Sequence, residues 1–405
     1  MNILMKFWTW LQTSQLDIPL HFFGAVAVVI VAYYIITKMA EPADKASKSF
    51  MVLYAFSISE TLIIIRKILQ FFIDFFVGSN LMSTESVPDD HWLFKVLGFG
   101  MSPFEQRPVF DMGEDFLLGT LGTLVAAVGL FIYIGVKNKK TTKKEKLTLS
   151  EWIKAIPHRC VTKYTVEMQK LNKQTNLADQ FLWWGVRALM LHAFFTWDNR
   201  AEATLLVVNF LGTVAISIIH IMAPADSFLG RIHYRVQSLL TIMVFWGSYG
   251  GNYIFLYRFI DQFDKKLHFL SGVISVLVAY YLASEFISKK SKGRKTLISI
   301  FSATFSLMII PIHELSEFLG DFLWGTVNQG YYGQPDPNGI FYRIFGYGAE
   351  NAGVYSVFDS MNDALFAVLS TLITVVPLSV YLIIREKSKV KTDLEADKEK
   401  NTVTC

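Results

Sequence analysis

Two cysteines among 405 residues, Cys160 and Cys405, exclude a disulfide framework and any cysteine-bound iron–sulfur or haem pattern. Charge is also scarce. Charged residues make up 18% of the chain and hydrophobic residues 52%, with a mean hydropathy of +0.37. That balance excludes a soluble enzyme and a coiled coil, and 34 Phe, 17 Tyr and 9 Trp exclude a disordered chain. Gly98-Phe-Gly100 and Gly346-Tyr-Gly348 are not followed by Gly-Lys-Ser/Thr, so no phosphate-binding loop is present. A Ser-His-Asp elbow is absent as well. No basic surface pattern points to nucleic acid.

What the chain has in abundance is apolar runs of about 20 residues, long enough to cross about 30 Å of hydrocarbon. Nine are read: 18–36, 51–77, 114–136, 178–195, 203–222, 238–257, 267–287, 297–323 and 363–384. The expected fold is all-α, a polytopic helical membrane protein. Lys and Arg concentrate in alternate connections: Lys38/Lys45/Lys48, the run from Lys137 to Lys146, Arg231/Arg235, the cluster 289–295, and the tail from Arg385. With nine spans all five basic sets fall on one side, which predicts a cytosolic C-terminus and an outside N-terminus. Residues 1–15 carry one Lys and no small-residue cleavage site, so they do not read as a signal peptide.

The sequence repeats itself. Asp17-Ile-Pro-Leu-His21-Phe matches Asp264-Lys-Lys-Leu-His268-Phe, and both run into a span ending Val-Ala-Tyr-Tyr. The offset of 247 also aligns Asp74 with Asp321; after one inserted residue, Asp111 and Asp115 align with Asp359 and Asp363. Six spans separate the copies, so they share an orientation and form a parallel repeat. The expected organisation is a first three-span repeat (1–137), a basic cytosolic linker (138–177), a middle three-span unit (178–260), a second repeat (261–385) and a charged tail (386–405) read as disordered. Within the linker, Cys160, Tyr164, Met168 and Leu171 follow helical spacing among basic residues, which fits a helix on an anionic membrane surface.

Ionisable residues inside spans are costly and need a reason. His313, Glu317 and Asp321 recur at i, i+4 and i+8, with Glu314 beside them, and Asp359 and Asp363 share a face one span later. With His268 they make an outward-facing His/carboxylate set. Such a set suits acid–base chemistry, with Glu317, Asp321, Asp359, Asp363 and His268 as catalytic candidates. It also suits a divalent metal ion on His313, Glu317, Asp321, Asp359 and Asp363. Capping and hydrogen bonding across the bundle is the competing structural role. The first copy keeps His21, Asp74, Asp111 and Asp115 but has Arg66 for His313 and Gln70 for Glu317. It reads as a degenerate, ion-paired version in which Lys67 snorkels to the interface. In the middle unit, Arg187 is expected to meet a carboxylate of a neighbouring triplet or a phosphate.

The start Asp264-Lys-Lys-Leu-His268-Phe, the run His313-Glu314-Leu-Ser-Glu317 and the pair Asp359-Ser-Met-Asn-Asp363 resemble VanZ-like and YjdF-like membrane proteins. The resemblance covers the last triplet and, through duplication, the first. It implies a bacterial cell-envelope protein of the cytoplasmic membrane, with membrane lipids as surroundings or substrate. Three functions compete: an enzyme acting on a lipid or lipid-linked headgroup, a proton- or cation-coupled transporter or exchanger, and a non-catalytic membrane scaffold.

Overall fold

The computed structural model describes residues 17–42, 44–77, 107–139, 161–162, 165–196, 200–224, 227–260, 263–324 and 360–384. The described residues are helical and contain no strand. Helix α1 spans Asp17–Ala40, α2 Lys45–Val77 and α3 Arg107–Lys139. A short α4 (165–174) precedes α5 (Leu177–Thr196) and α6 (Arg200–Met222). Helix α7 (Tyr234–Val244) passes into a π-helical stretch, Phe245–Tyr253, followed by the single turn α8 (Leu256–Phe259). Then come α9 (Phe263–Phe286), α10 (Arg294–Trp324) and α11 (Ser360–Ile384).

Among the described residues six helices are long and apolar enough to cross a membrane: α1, α2, α3, α9, α10 and α11. They are the three spans of each repeat. In the middle unit the described part of α6, Asn209–Met222, is a shorter apolar helix. There α5 runs unbroken through Asp179 and Arg187, and the third helix passes at Phe245–Tyr253 into a wider coil that ends before Phe255 (φ 60°).

Equivalent residues of the two copies make equivalent contacts. Ser59 meets Thr123 through their hydroxyls at 2.9 Å, and Ser306 meets Thr371, the residues one repeat later, at 2.7 Å. Both threonines also donate one turn back along their helix, to the carbonyls of Gly119 and Ala367. The copies face each other through α2 and α10. Ser57 and Thr304, themselves equivalent, share a hydrogen bond of 2.9 Å, and the rings of the equivalent Tyr54 and Phe301 lie 4.9 Å apart. Contacts between a residue and its own repeat image place the pseudo-symmetry axis between these two helices.

Close crossings inside each copy rely on one glycine. A Cβ on Gly122 of α3 would lie 2.3 Å from the Phe22 carbonyl oxygen of α1, with Ala25 Cβ at 3.2 Å. A Cβ on Gly272 of α9 would lie 1.9 Å from Ser370 Oγ of α11. Positions 25 and 272 are equivalent, as are 122 and 370, so the glycine has changed helix between the copies while the crossing has stayed. At the end carrying the α1–α2 and α9–α10 turns, here the basic end, Arg231 joins all three units. It reaches Asp44 at 2.8 Å and Glu285 at 3.1 Å and lies over the Phe286 ring. Burial pushes the Asp44 carboxyl up, but hydrogen bonds from Ser47 and the Arg231 charge together hold it below the usual range.

Helix α4 does not present the expected stripe. Met168 is exposed, while Glu167, Leu171 and Thr175 are buried against the middle unit. Glu167 meets His220 Nε2 at 3.0 Å, accepts from the Tyr234 hydroxyl at 2.9 Å and from Lys170 at 2.8 Å. A buried carboxylate with three partners outweighs an apolar stripe, so the helix docks on protein through that face. Cys160 and Tyr164, the linker's first part, the tail and the loops holding both Gly-x-Gly motifs lie outside the described residues.

Candidate His/carboxylate site

The site forms at the end of the second copy opposite the basic end, where α9 begins, α10 passes its last turns and α11 begins. Asp264, Lys265 and His268 share the first two turns of α9. Lys265 Nζ lies 2.8 Å from Asp363 of α11 and 3.4 Å from Asp264. His268 Nε2 lies 3.7 Å from each of these carboxylates. From α10, His313 stacks beside His268 with ring centroids 5.0 Å apart and meets Glu317 at 3.3 Å. Glu314 is fully buried beside Ser360 and Asp363. Pro311 lies just before this cluster; without an amide hydrogen it breaks the helical bonding at its turn.

Of the residues singled out from sequence, the structure brings together His268, His313, Glu317 and Asp363. The backbone of α10 carries Asp321, and α2 and α3 carry Asp74 and Asp111, but the side chains of these three lie outside those described, as does Asp359 altogether. Three members were missed. Asp264 and Lys265 enter the sequence reading only within the repeated start of α9, yet the i, i+4 spacing of Asp264 and His268 is the spacing that flagged His313 and Glu317. Glu314 was noted only as a neighbour.

A metal can be considered at Asp264, His268 and Asp363, whose ligand atoms all approach within 4.8 Å of one another. That place already has a cation: the Lys265 ammonium bridges the same two carboxylates. Of the five ligands expected from sequence, Asp363 belongs to this group, His313 and Glu317 lie beside it, and Asp321 and Asp359 lie outside the described side chains.

The first copy holds the same positions with other chemistry. Asp115, equivalent to Asp363, is buried against Lys67, with His21 at 3.1 Å and Arg66 at 3.6 Å. Lys67 is 1% exposed, so it does not snorkel; Asp115 supplies its counter-charge inside the bundle. Lys67 stands where the second copy has Glu314. Arg187 likewise departs from expectation. It donates to the Thr213 carbonyl at 2.7 Å and Ser217 Oγ at 2.9 Å, with its guanidinium 3.7 Å from the Trp183 ring centre. Neutral acceptors and an aromatic face within its own unit hold it, in place of a carboxylate.

A cleft of ≈ 230 Å³ opens at the second site. Its polar end has Asp264, His268, His313 and Glu317; its deeper part has Leu267, Leu270, Ile309 and Ile310 and ends at Gly272 and Ser306. From Asp264 to Gly272 is about 12 Å along α9 at 1.5 Å per residue. The third wall is Met243, Trp246 and Gly247, at the change from α7 to the π-helical stretch. In the first copy the residues equivalent to Leu267, Leu270 and Ile309 are Leu20, Phe23 and Leu62, which are exposed at 54%, 65% and 48%. A Cβ on Gly24 there would meet nothing within 4 Å. Among the described residues the middle unit thus walls the second copy, while the matching residues of the first are exposed.

Residues 181–383 match the model of a family described as "Predicted membrane protein (DUF2238)", half of the chain. The chain belongs to this family. The match runs from α5 to the end of α11, so it contains the middle unit and the second repeat together: the wall and the site. No curated protein and no solved structure matches the chain.

Proposed function

We propose that this integral membrane protein carries an acid–base site for a lipid or lipid-linked headgroup at the outer leaflet of a cytoplasmic membrane. In this reading the N-terminus is outside and the C-terminus cytosolic, as the Lys and Arg distribution favours. One observation carries the reading: the His/carboxylate cluster stands at the mouth of a cleft whose deeper walls are apolar. A lipid can place its chain along α9 and α10 and its head at the histidines. His313, oriented by Glu317, is the proton-transferring group, since its side chain faces the cleft and is the most open of the cluster. His268, held among Asp264, Lys265 and Asp363, is its partner. The family resemblance to VanZ-like envelope proteins supports the same surroundings.

The test is to hold the purified protein in nanodiscs with a membrane lipid extract and follow lipid masses. Wild type should change one lipid class, and His313→Ala should not. A second reading, a proton- or cation-coupled exchanger, rests on the repeat and on ionisable residues within spans. It takes over if no lipid changes while proteoliposomes show a cation or proton flux that His313→Ala removes. A divalent ion enters the proposal if metal analysis finds one ion per chain that Asp264→Asn releases; it would have to displace Lys265.

A further inference from the structure

We infer that Glu60, midway along α2 in the first copy, is a proton-binding site: it is held as a neutral carboxylic acid whose exchangeable proton is its ligand. The site is separate from the cleft and needs nothing from it. Glu60 is 0% exposed in a helix long and apolar enough to span. One carboxyl oxygen, Oε2, takes the Thr120 hydroxyl of α3 at 3.0 Å. The other, Oε1, is buried and has no hydrogen-bond partner among the described residues. Helices α1, α3, α9 and α10 touch α2, and none carries Asp, Glu, Lys, Arg or His over 22–37, 116–136, 269–284 or 296–312. On α2 itself the nearest charged groups are Arg66 and Lys67. Lys67 stands about 10 Å further along the helix and is paired with Asp115, beside His21. Tyr54, on the other side, gives its hydroxyl to the Leu297 carbonyl.

A carboxylate so placed has no counter-charge. In water at pH 7 an ordinary glutamate favours the ionised form by about 500-fold. Burial of a lone charge costs more than that preference, so the group takes up a proton and becomes neutral. A metal ion would need a shell of about six oxygens. The described surroundings give the hydroxyls of Thr120, Thr123 and Ser59, and the last two are bonded to each other at 2.9 Å. Oε1 is also closed to a water-sized molecule, and a proton needs no cavity. The second copy shows that the frame does not require this acid. It keeps the neighbouring hydroxyl pair as Ser306 and Thr371, but Leu307 and Val368 stand where the first copy has Glu60 and Thr120. An acid that packing does not demand, within a span, is placed to take up and release a proton.

The experiment records infrared spectra of the full-length protein in nanodiscs at neutral pH, in H2O and in D2O. Wild type minus Glu60→Gln should show one carboxylic-acid carbonyl band, with the area of one carboxyl per chain, and D2O should shift it to lower frequency. Thr120→Val keeps the acid and removes its hydroxyl partner, so it should move the band to higher frequency without loss of area. That variant identifies the band even if Glu60→Gln does not fold. A spectrum with no such band, or a band that neither variant alters, overturns the inference. A band that responds to the variants but never shifts in D2O makes the proton a fixed part of the fold and overturns the site. If the band is absent and elemental analysis finds one sodium or potassium ion per chain that Glu60→Gln releases, the ligand is a metal cation and the proton inference falls.

Discussion

The two repeats place an aspartate, a histidine and one further buried ionisable residue at the same points of the same three-helix frame. In the first copy that further residue is Lys67, and Asp115 is neutralised by it, by Arg66 and by His21. In the second it is Glu314, and the cation has moved to Lys265 on α9. In the first arrangement Asp115 and Lys67 pair inside the bundle, and Leu20 and Phe23 on its outer face are exposed. The second gathers Asp264, Glu314, Glu317 and Asp363 near Lys265 and two histidines and has a third wall from the middle unit. Duplication supplied one frame for both pairings, and the middle unit walls a cleft at the second copy.

The largest effect should come from breaking the pair in the first copy. Lys67→Met leaves Asp115 buried with weaker partners and should cost about 3 kcal/mol, read from unfolding in detergent. A Lys67→Met protein as stable as wild type would show that Asp115 does not depend on its lysine.

Next in size is the attachment of the wall. Glu167→Gln weakens the contacts to His220, Tyr234 and Lys170 and should cost about 2 kcal/mol. It should loosen the cleft of the second copy and leave the first untouched. Burial raises the Glu167 carboxyl, but the Lys170 and Tyr234 hydrogen bonds and the Lys170 and His220 charges bring it below its ordinary value. A carboxyl lowered on folding stabilises above its unfolded value of about 4.3 and loses that contribution as pH falls through the folded value. Acid unfolding of wild type should therefore be steeper than that of Glu167→Gln in that range. Equal profiles would remove Glu167 from the account.

A smaller effect exchanges the two helix crossings. Gly272→Ala forces a Cβ onto Ser370 and should cost about 1.5 kcal/mol. Adding Ser370→Gly recreates the Ala25/Gly122 arrangement of the first copy and should recover most of the loss. No recovery would mean that the crossings are not interchangeable. The smallest effect tests equality. Ser59→Ala and Ser306→Ala should each cost about 0.6 kcal/mol, because each removes one interhelical hydroxyl contact. A clearly larger loss for Ser306 would reflect its second bond, to the Gly272 carbonyl at 3.0 Å.

Much of this was legible in the chain. Apolar run length determined an all-α membrane fold, because a bilayer satisfies no backbone group that the helix leaves open. The near-constant offset from Asp17 to Asp115 determined the repeat, and the i, i+4 spacing of His313 and Glu317 determined that they share a face. Three things waited for the tertiary structure. Lys67 lies within a span and Lys265 just before one, and only packing shows the first set against Asp115 and the second between Asp264 and Asp363; a side chain of that length reaches either the interface or a neighbouring helix with equal ease. Arg187 satisfies itself on Thr213, Ser217 and Trp183, since carbonyls and rings leave no charge signal in a sequence. The cleft, finally, arises where Met243, Trp246 and Gly247 meet α9 and α10. Those residues lie far from His268 and His313 in the order that periodicity reads, and only the close approach of three helices makes them one surface.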